Sequence, residues 1–147
     1  MNKNYRETFV GSLTNKSKSE YEEFLKDANK DIVDRRFNKL KVAIAPRLID
    51  KELLKIFKDY NVAVVEIEAQ STNDYILKKC GYTHTLEDIK KATKMLKWRG
   101  FTVSFQVGVG VPDSTKIDEL NTAKELAKLK PHRVRIYPMV VVKNTVL

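Results

Sequence analysis

Two glutamates, Glu66 and Glu68, flank a single isoleucine. Residues two apart on a strand share a face, so both carboxylates point the same way. Buried, they are costly unless a cation pairs with them or they belong to a site. Arg133 and Arg135, which also alternate, are the candidate counter-ions, and a polar group in a barrel mouth is the other reading. Gln70 and Ser71 follow directly. An amide and a hydroxyl past a strand suit a turn cap or hydrogen bonds to a ligand. Gly108-Val109-Gly110-Val111-Pro112 has some look of a phosphate loop. It lacks the further glycines and the lysine that dinucleotide and P-loop motifs need. Glycine at such a place fits close backbone approach.

Other reactive side chains are sparse. Cys80 follows Lys78 and Lys79, whose charges would lower its pKa. A Cys80–His84 nucleophilic pair lacks a third, orienting group. His84 is expected to cap a helix start, and His132 to be solvated in a helix-to-strand turn. No serine stands in a nucleophile elbow. No spacing of His, Cys or carboxylates suits a metal ion. No catalytic residue and no metal ligand is therefore assigned.

These residues need elements to position them, and the chain supplies them by alternation. Residues 8–11 end a short strand. Ser17 or Ser19 caps a helix to about residue 36, with Tyr21, Phe24, Leu25, Ala28 and Ile32 at helical period. Residues 40–45 form an apolar strand stopped by Pro46. Asp50 caps a helix with Leu53, Leu54, Ile56 and Phe57 inward, broken at Asn61. Residues 62–68 are a strand, and residues 73–79 a short helix stopped by Gly81. Thr85 caps a longer helix, with Asp88 completing a near capping box. Leu86, Ile89, Ala92, Met95 and Leu96 are its apolar face, and Gly100 takes the C′ position. Residues 101–109 are a strand. Ser114 or Thr115 then caps a helix through Leu129, with Ile117, Leu120, Ala123, Leu126 and Leu129 inward. Pro131 stops it. Residues 134–137 are a strand, and residues 139–142 extend it past Pro138 or form a separate piece.

The order β-α-β-α-β-α-α-β-α-β predicts parallel βα units with right-handed crossovers. Nearly all-apolar strands predict cover on both faces. An open doubly wound sheet and part of a (βα) barrel both fit. A complete barrel needs about 250 residues, and the chain has 147. In either case the site lies at the C-terminal strand ends: Gly11-Ser12, Pro46-Arg47, Ala69-Gln70-Ser71, Gly110-Val111-Pro112 and Pro138. No linker or boundary is visible, so 1–147 reads as one domain.

Composition narrows the classes. At 42% hydrophobic and 32% charged the chain is globular. No apolar run approaches the roughly 18 residues of a membrane span, and residues 1–7 lack a signal peptide's apolar stretch. One cysteine excludes an internal disulfide framework. These features point to the cytoplasm and to no membrane partner. The net charge of +9 suits an anionic partner. Yet the lysines are spread along helix faces, and neither Arg35-Arg36 nor Arg133/Arg135 makes a patch alone.

Several strand ends resemble one family. Residues 65–71, then Leu77-Lys78-Lys79-Cys80-Gly81, then His84-Thr85, are similar to the VE(I/L)GVQS…LKK…GRGHT segment of radical SAM enzymes. The nearest group holds the Elongator catalytic subunit and oxygen-independent coproporphyrinogen oxidase-like proteins. Gly110-Val111-Pro112 resembles its GLPG loop, and residues 119–138 its TAKxxxxLKPDxVRIYP segment. Phe9-Val10-Gly11-Ser12-Leu13-Thr14 resembles its FYGGSFT strand end, and residues 46–50 its RPDYID turn.

The resemblance implies a partial (βα) barrel of about five parallel units. It implies S-adenosylmethionine as cofactor, touched by Gln70, with Gly11, Ser12, Ser71, Gln106, Gly110 and Pro112 around it. It also implies a 4Fe-4S cluster on three cysteines of a CxxxCxxC loop. This chain has no such loop, so it does not ligate the cluster. Val10 replaces one glycine of the GG pair, Glu68 the glycine of GVQS, Tyr82 the arginine of GRGHT, and Asp113 the glycine after GLP. Ala43 and Ala45 replace a polar residue and an arginine at the preceding strand end.

The expectation is a truncated or degenerate radical SAM core, related to enzymes of tRNA modification and inactive alone. Its partner is the missing N-terminal barrel portion or a second copy of itself, with tRNA as a further partner. The alternatives are a non-catalytic basic α/β module that binds RNA and an open-sheet small-molecule binder.

Overall fold

The computed structural model describes residues 7–33 and 39–140. The order is β1 (Glu7–Ser12), α1 (Lys18–Val33), β2 (Lys39–Ile44), a 3-10 turn (Pro46–Leu48), α2 (Lys51–Asp59), β3 (Val62–Gln70), α3 (Asp74–Lys79), α4 (Leu86–Trp98), β4 (Thr102–Val109), α5 (Lys116–Lys128) and β5 (Arg133–Pro138). The expected order of strands and helices is thus found element for element. Ile32's side chain, the helix end at 34–36 and residues 141–142 lie outside the described residues.

The caps follow from local chemistry. Asp50 accepts the Leu53 N–H, and Asn73 accepts those of Tyr75 and Ile76. Thr85 with Asp88 and Thr115 with Asp118 form full capping boxes. Gly100 ends α4 at φ 77°, a region open to glycine without strain.

The five strands pair in chain order, all parallel. A doubly wound sheet would reverse its order part-way. Sequential order with right-handed crossovers puts every helix on one face, as in a barrel wall. The open-sheet alternative is excluded. The chain is an arc of five strands, and it is strongly curled. Arg133 of β5 reaches Glu7 of β1, the opposite edge strand, at 2.5 Å. The Arg135 guanidinium lies 5.8 Å from the Phe9 ring of β1.

The two sheet faces differ. Outward-facing Leu40, Val42, Ile44, Val65, Ile67, Val103 and Phe105 join Leu25, Leu53, Phe57, Ile89 and Leu96 of the helices in one core. Burying such side chains is worth about 2 kcal/mol each. The concave face carries Lys41, Glu66, Glu68, Gln106, Arg133, Arg135 and Tyr137. The strands are therefore not apolar on both sides; the concave face is a polar lumen.

One helix departs from expectation. On α5 only Leu126 of the predicted stripe is buried. Ile117 and Leu120 are 70% and 60% exposed, and Ala123 is exposed too. The physical reason is at the sheet edge. No described element covers the outer face of β5, so Val134 and Ile136 are exposed as well. α5 and β5 together border an apolar groove of about 650 Å³.

Candidate functional site: a polar cleft at the strand ends

The C-terminal strand ends border a cavity of about 530 Å³. Ser12, Thr14, Arg47, Glu68, Gln70, Tyr82, His84 and Gln106 are among its lining residues. Gln70 is held where few residues sit: its φ is 60°, left-handed for a residue with a Cβ. The register between β3 and β4 shifts across Glu68 and Gln70, which places the turn there. Such strain persists only where surrounding contacts impose it.

Those contacts form a chain of hydrogen bonds running down into the lumen. The Tyr137 hydroxyl donates to Gln70 Oε1 at 2.5 Å. Gln106 Nε2 donates to that hydroxyl at 3.0 Å. Arg135 Nη2 donates to Gln106 Oε1 and, at 2.6 Å, to Glu66 Oε1. Lys41 Nζ lies 2.7 Å from Glu66 Oε2, and Ser104 donates to the same oxygen. Glu66 is fully buried. Burial alone would raise its carboxyl pKa, but the hydrogen bonds from Lys41 and Arg135 and their charges outweigh it and lower the pKa. Of the two glutamates expected to pair with Arg133 or Arg135, Glu66 meets Arg135 and also Lys41; Glu68 has no ion pair among the described residues, and Arg133 pairs with Glu7.

Glu68 is bound differently. The Thr14 hydroxyl donates to it at 2.5 Å and itself accepts the Ala45 N–H at 2.8 Å. Thr14 thereby ties the loop after β1 to the end of β2 and to β3. The carboxylate stands in the cleft.

The predicted site residues divide into two sets. Ser12, Gln70 and Gln106 line the cleft. Gly11, directly before Ser12, has φ 128° and follows the register shift that leaves Val10 as the extra residue of β1. Ser71, Gly110 and Pro112 do not line it. Ser71 is buried, accepts the Asn73 N–H and contacts the Thr122 hydroxyl of α5, so it fastens α3 to α5. The Gly110 N–H donates to Glu119. The Pro112 carbonyl accepts the Cys80 thiol at 3.9 Å.

His84 does not cap a helix, because Thr85 does. It is buried, and its Nε2 lies 3.1 Å from the Ala69 carbonyl, so it donates there and pins the end of β3. His132 is exposed, yet its Nδ1 accepts the Val103 N–H and its own N–H donates to the Val103 carbonyl. That double contact holds the start of β4. Burial, then the Asp113 charge, raises the Cys80 thiol, so the lysines before it do not activate it.

Tyr137, Thr14 and Lys41 were not evident from the sequence. The signal for Tyr137 was present in its alternation with Arg133 and Arg135, which puts all three on the lumen face.

A sequence profile described as the radical SAM superfamily matches residues 1–126. The chain belongs to the radical SAM superfamily. Over 101 residues it is 35% identical to a Methanocaldococcus jannaschii tRNA uridine(34) acetyltransferase, covering 67% of this chain and 18% of that protein. An uncharacterised protein of the same organism is 33% identical over 74% of this chain and 35% of its own length. Among solved structures, Methanocaldococcus infernus Elp3 superposes with a TM-score of 0.71 at 28% identity, over 88% of this chain and 30% of that one. Escherichia coli coproporphyrinogen III oxidase, at 17% identity and a TM-score of 0.67, shares the fold over 81% of this chain and 29% of its own. The chain thus spans about a third or less of these relatives.

The superfamily implies S-adenosylmethionine and a 4Fe-4S cluster, and the two fare differently here. Among the described residues no group of three His, Cys, Asp or Glu side chains can hold a metal ion. The sequence has one cysteine, and its thiol is turned to a carbonyl with a raised pKa, the reverse of a metal-bound thiolate. This donor set does not fit the cluster. The cleft has the size and mixed polarity of a small-molecule site. The Gln70 amide nitrogen makes no hydrogen bond to a described residue and is open to a ligand acceptor.

Proposed function

We propose that this chain forms the S-adenosylmethionine-holding wall of a radical SAM cleft and does not cleave that molecule by itself. The observation that carries the reading is the buried, left-handed Gln70 set into the cleft by Tyr137, in a chain whose donor set cannot hold the cluster. Gln70, Ser12 and Gln106 would bind and orient the ligand. The lumen network below them fixes the two amides, so little ordering is left for binding to supply. When bound beside a reduced cluster, S-adenosylmethionine supplies a radical that abstracts hydrogen from substrate. The cluster would come from a cysteine-bearing barrel portion or partner chain.

The relatives named as tRNA uridine(34) acetyltransferases support tRNA modification as the setting. Titration calorimetry tests binding: S-adenosylmethionine binds, and Gln70→Ala weakens it about tenfold. Anaerobic iron-sulfur reconstitution tests the rest. A stoichiometric 4Fe-4S spectrum with cofactor cleavage by this chain alone would overturn the reading.

A second reading is a non-catalytic RNA-binding module. The +9 charge and the same tRNA-directed relatives favour it. Loss of RNA binding at low salt would sink it.

A further inference from the structure

We infer that the C-terminal ends of α4 and α5 form a binding face for unpaired RNA, with Trp98 stacking on a base and lysines meeting the phosphates. The inference rests on the RNA-binding reading and gives it a place on the molecule.

The sequence spreads these lysines over two distant segments. The fold gathers Lys90, Lys94 and Lys97 of α4 with Lys128 and Lys130 at the end of α5, around a shallow depression of about 600 Å³. Trp98 borders it and is 83% exposed. The Arg99 guanidinium lies 5.8 Å from the indole ring.

Some of these charges already have work. Lys97 Nζ donates to the Leu129 and Lys130 carbonyls and so closes the end of α5. Lys90 and Lys128 are partly offset by Glu87 and Glu125. Lys94, Arg99 and Lys130 have no carboxylate partner among the described residues. Capping, helix dipoles and ion pairs therefore account for Lys97, Lys90 and Lys128 but not for Lys94, Lys130 or the exposed indole with Arg99 beside it.

Charge alone would admit an acidic peptide. An exposed indole beside unpaired cations offers stacking as well, and single-stranded nucleic acid, with a phosphate and a flat base in every unit, uses both at once. The face is also well separated. Helices of a βα unit run against their strands, so helix C-termini lie at the strand N-terminal end, away from the cleft. RNA bound here leaves the cleft open.

Trp98 is the chain's one tryptophan, so its emission reports this face directly. A short oligouridylate titrated into the full chain at low salt is expected to quench it. The affinity should fall with salt, log against log, by about 0.7 per phosphate contacted. Lys94→Glu with Lys130→Glu should weaken binding at least tenfold by anisotropy of labelled RNA. Trp98→Ala should weaken it about fivefold or more and keep the salt slope. Circular dichroism and the urea midpoint of both variants should match the parent, which shows that they fold. Polyglutamate should not compete. No RNA binding at low salt overturns both the face and the RNA-binding reading. RNA binding without quenching, insensitive to these substitutions, overturns the face alone, as does polyglutamate quenching equal to that by RNA.

Discussion

Glu66 is where the lumen's charges converge. Its carboxylate is fully buried and answers Lys41 and Arg135. Glu66→Gln would leave both cations without their anion. Breaking a buried pair costs about 3–5 kcal/mol; Arg135 is half exposed, so about 2–3 kcal/mol is expected. Urea unfolding would measure it. The pH dependence has a definite sign. A carboxyl whose folded pKa is lowered stabilises the fold above its ordinary value of 4.5. That contribution is lost as pH falls through the folded pKa. The gap between the parent and Glu66→Gln should hold steady at neutral pH and shrink below about pH 4.5. A pH-independent gap would mean that shape, not charge, is what the substitution removes. Tyr137→Phe tests the other end of the network. It removes the donor to Gln70 and should weaken S-adenosylmethionine binding several-fold while costing about 1 kcal/mol of stability.

At the element scale the capping signals are the most local, and they were the most legible. Thr85 and Asp88 sit three residues apart, and their capping box needs no tertiary contact. Thr85→Ala should cost about 1 kcal/mol in thermal or urea unfolding, with the cleft ligand's affinity preserved. That Glu66 would meet an arginine of the 133/135 pair was legible too, because alternation fixes which face each residue takes, though not which arginine reaches it. His84 was not. Its position before a helix suggested a cap, whereas its role depends on the Ala69 carbonyl, fifteen residues away in sequence and brought near only by β3 and α4. That Ser71 and Gly110 lie outside the lining of the cleft was not legible for a related reason. Lying at a strand end restricts a residue to one rim of the sheet. It does not say whether the side chain turns into the cleft, as with Gln70, or outward to α5, as with Ser71. The gathering of the lysines of α4 and α5 was invisible for the same cause.

At the scale of the whole molecule, the sheet curls far enough for Glu7 and Arg133 to meet, yet β1 and β5 do not pair. The lumen is closed by side chains instead of by backbone. The outer side of β5 is the contrary case: Val134 and Ile136 face the exposed Leu120 and Ala123 across an apolar groove. Exposed apolar area of this extent beside an unpaired strand edge favours association. In isolation the chain should therefore self-associate at micromolar concentration. Leu120→Lys with Ile136→Lys places charges in the groove without touching the buried core, since both side chains are mostly exposed. Sedimentation velocity should show the double variant shifted toward monomer, with its circular dichroism unchanged. A parent chain that runs as a monodisperse monomer would overturn the prediction.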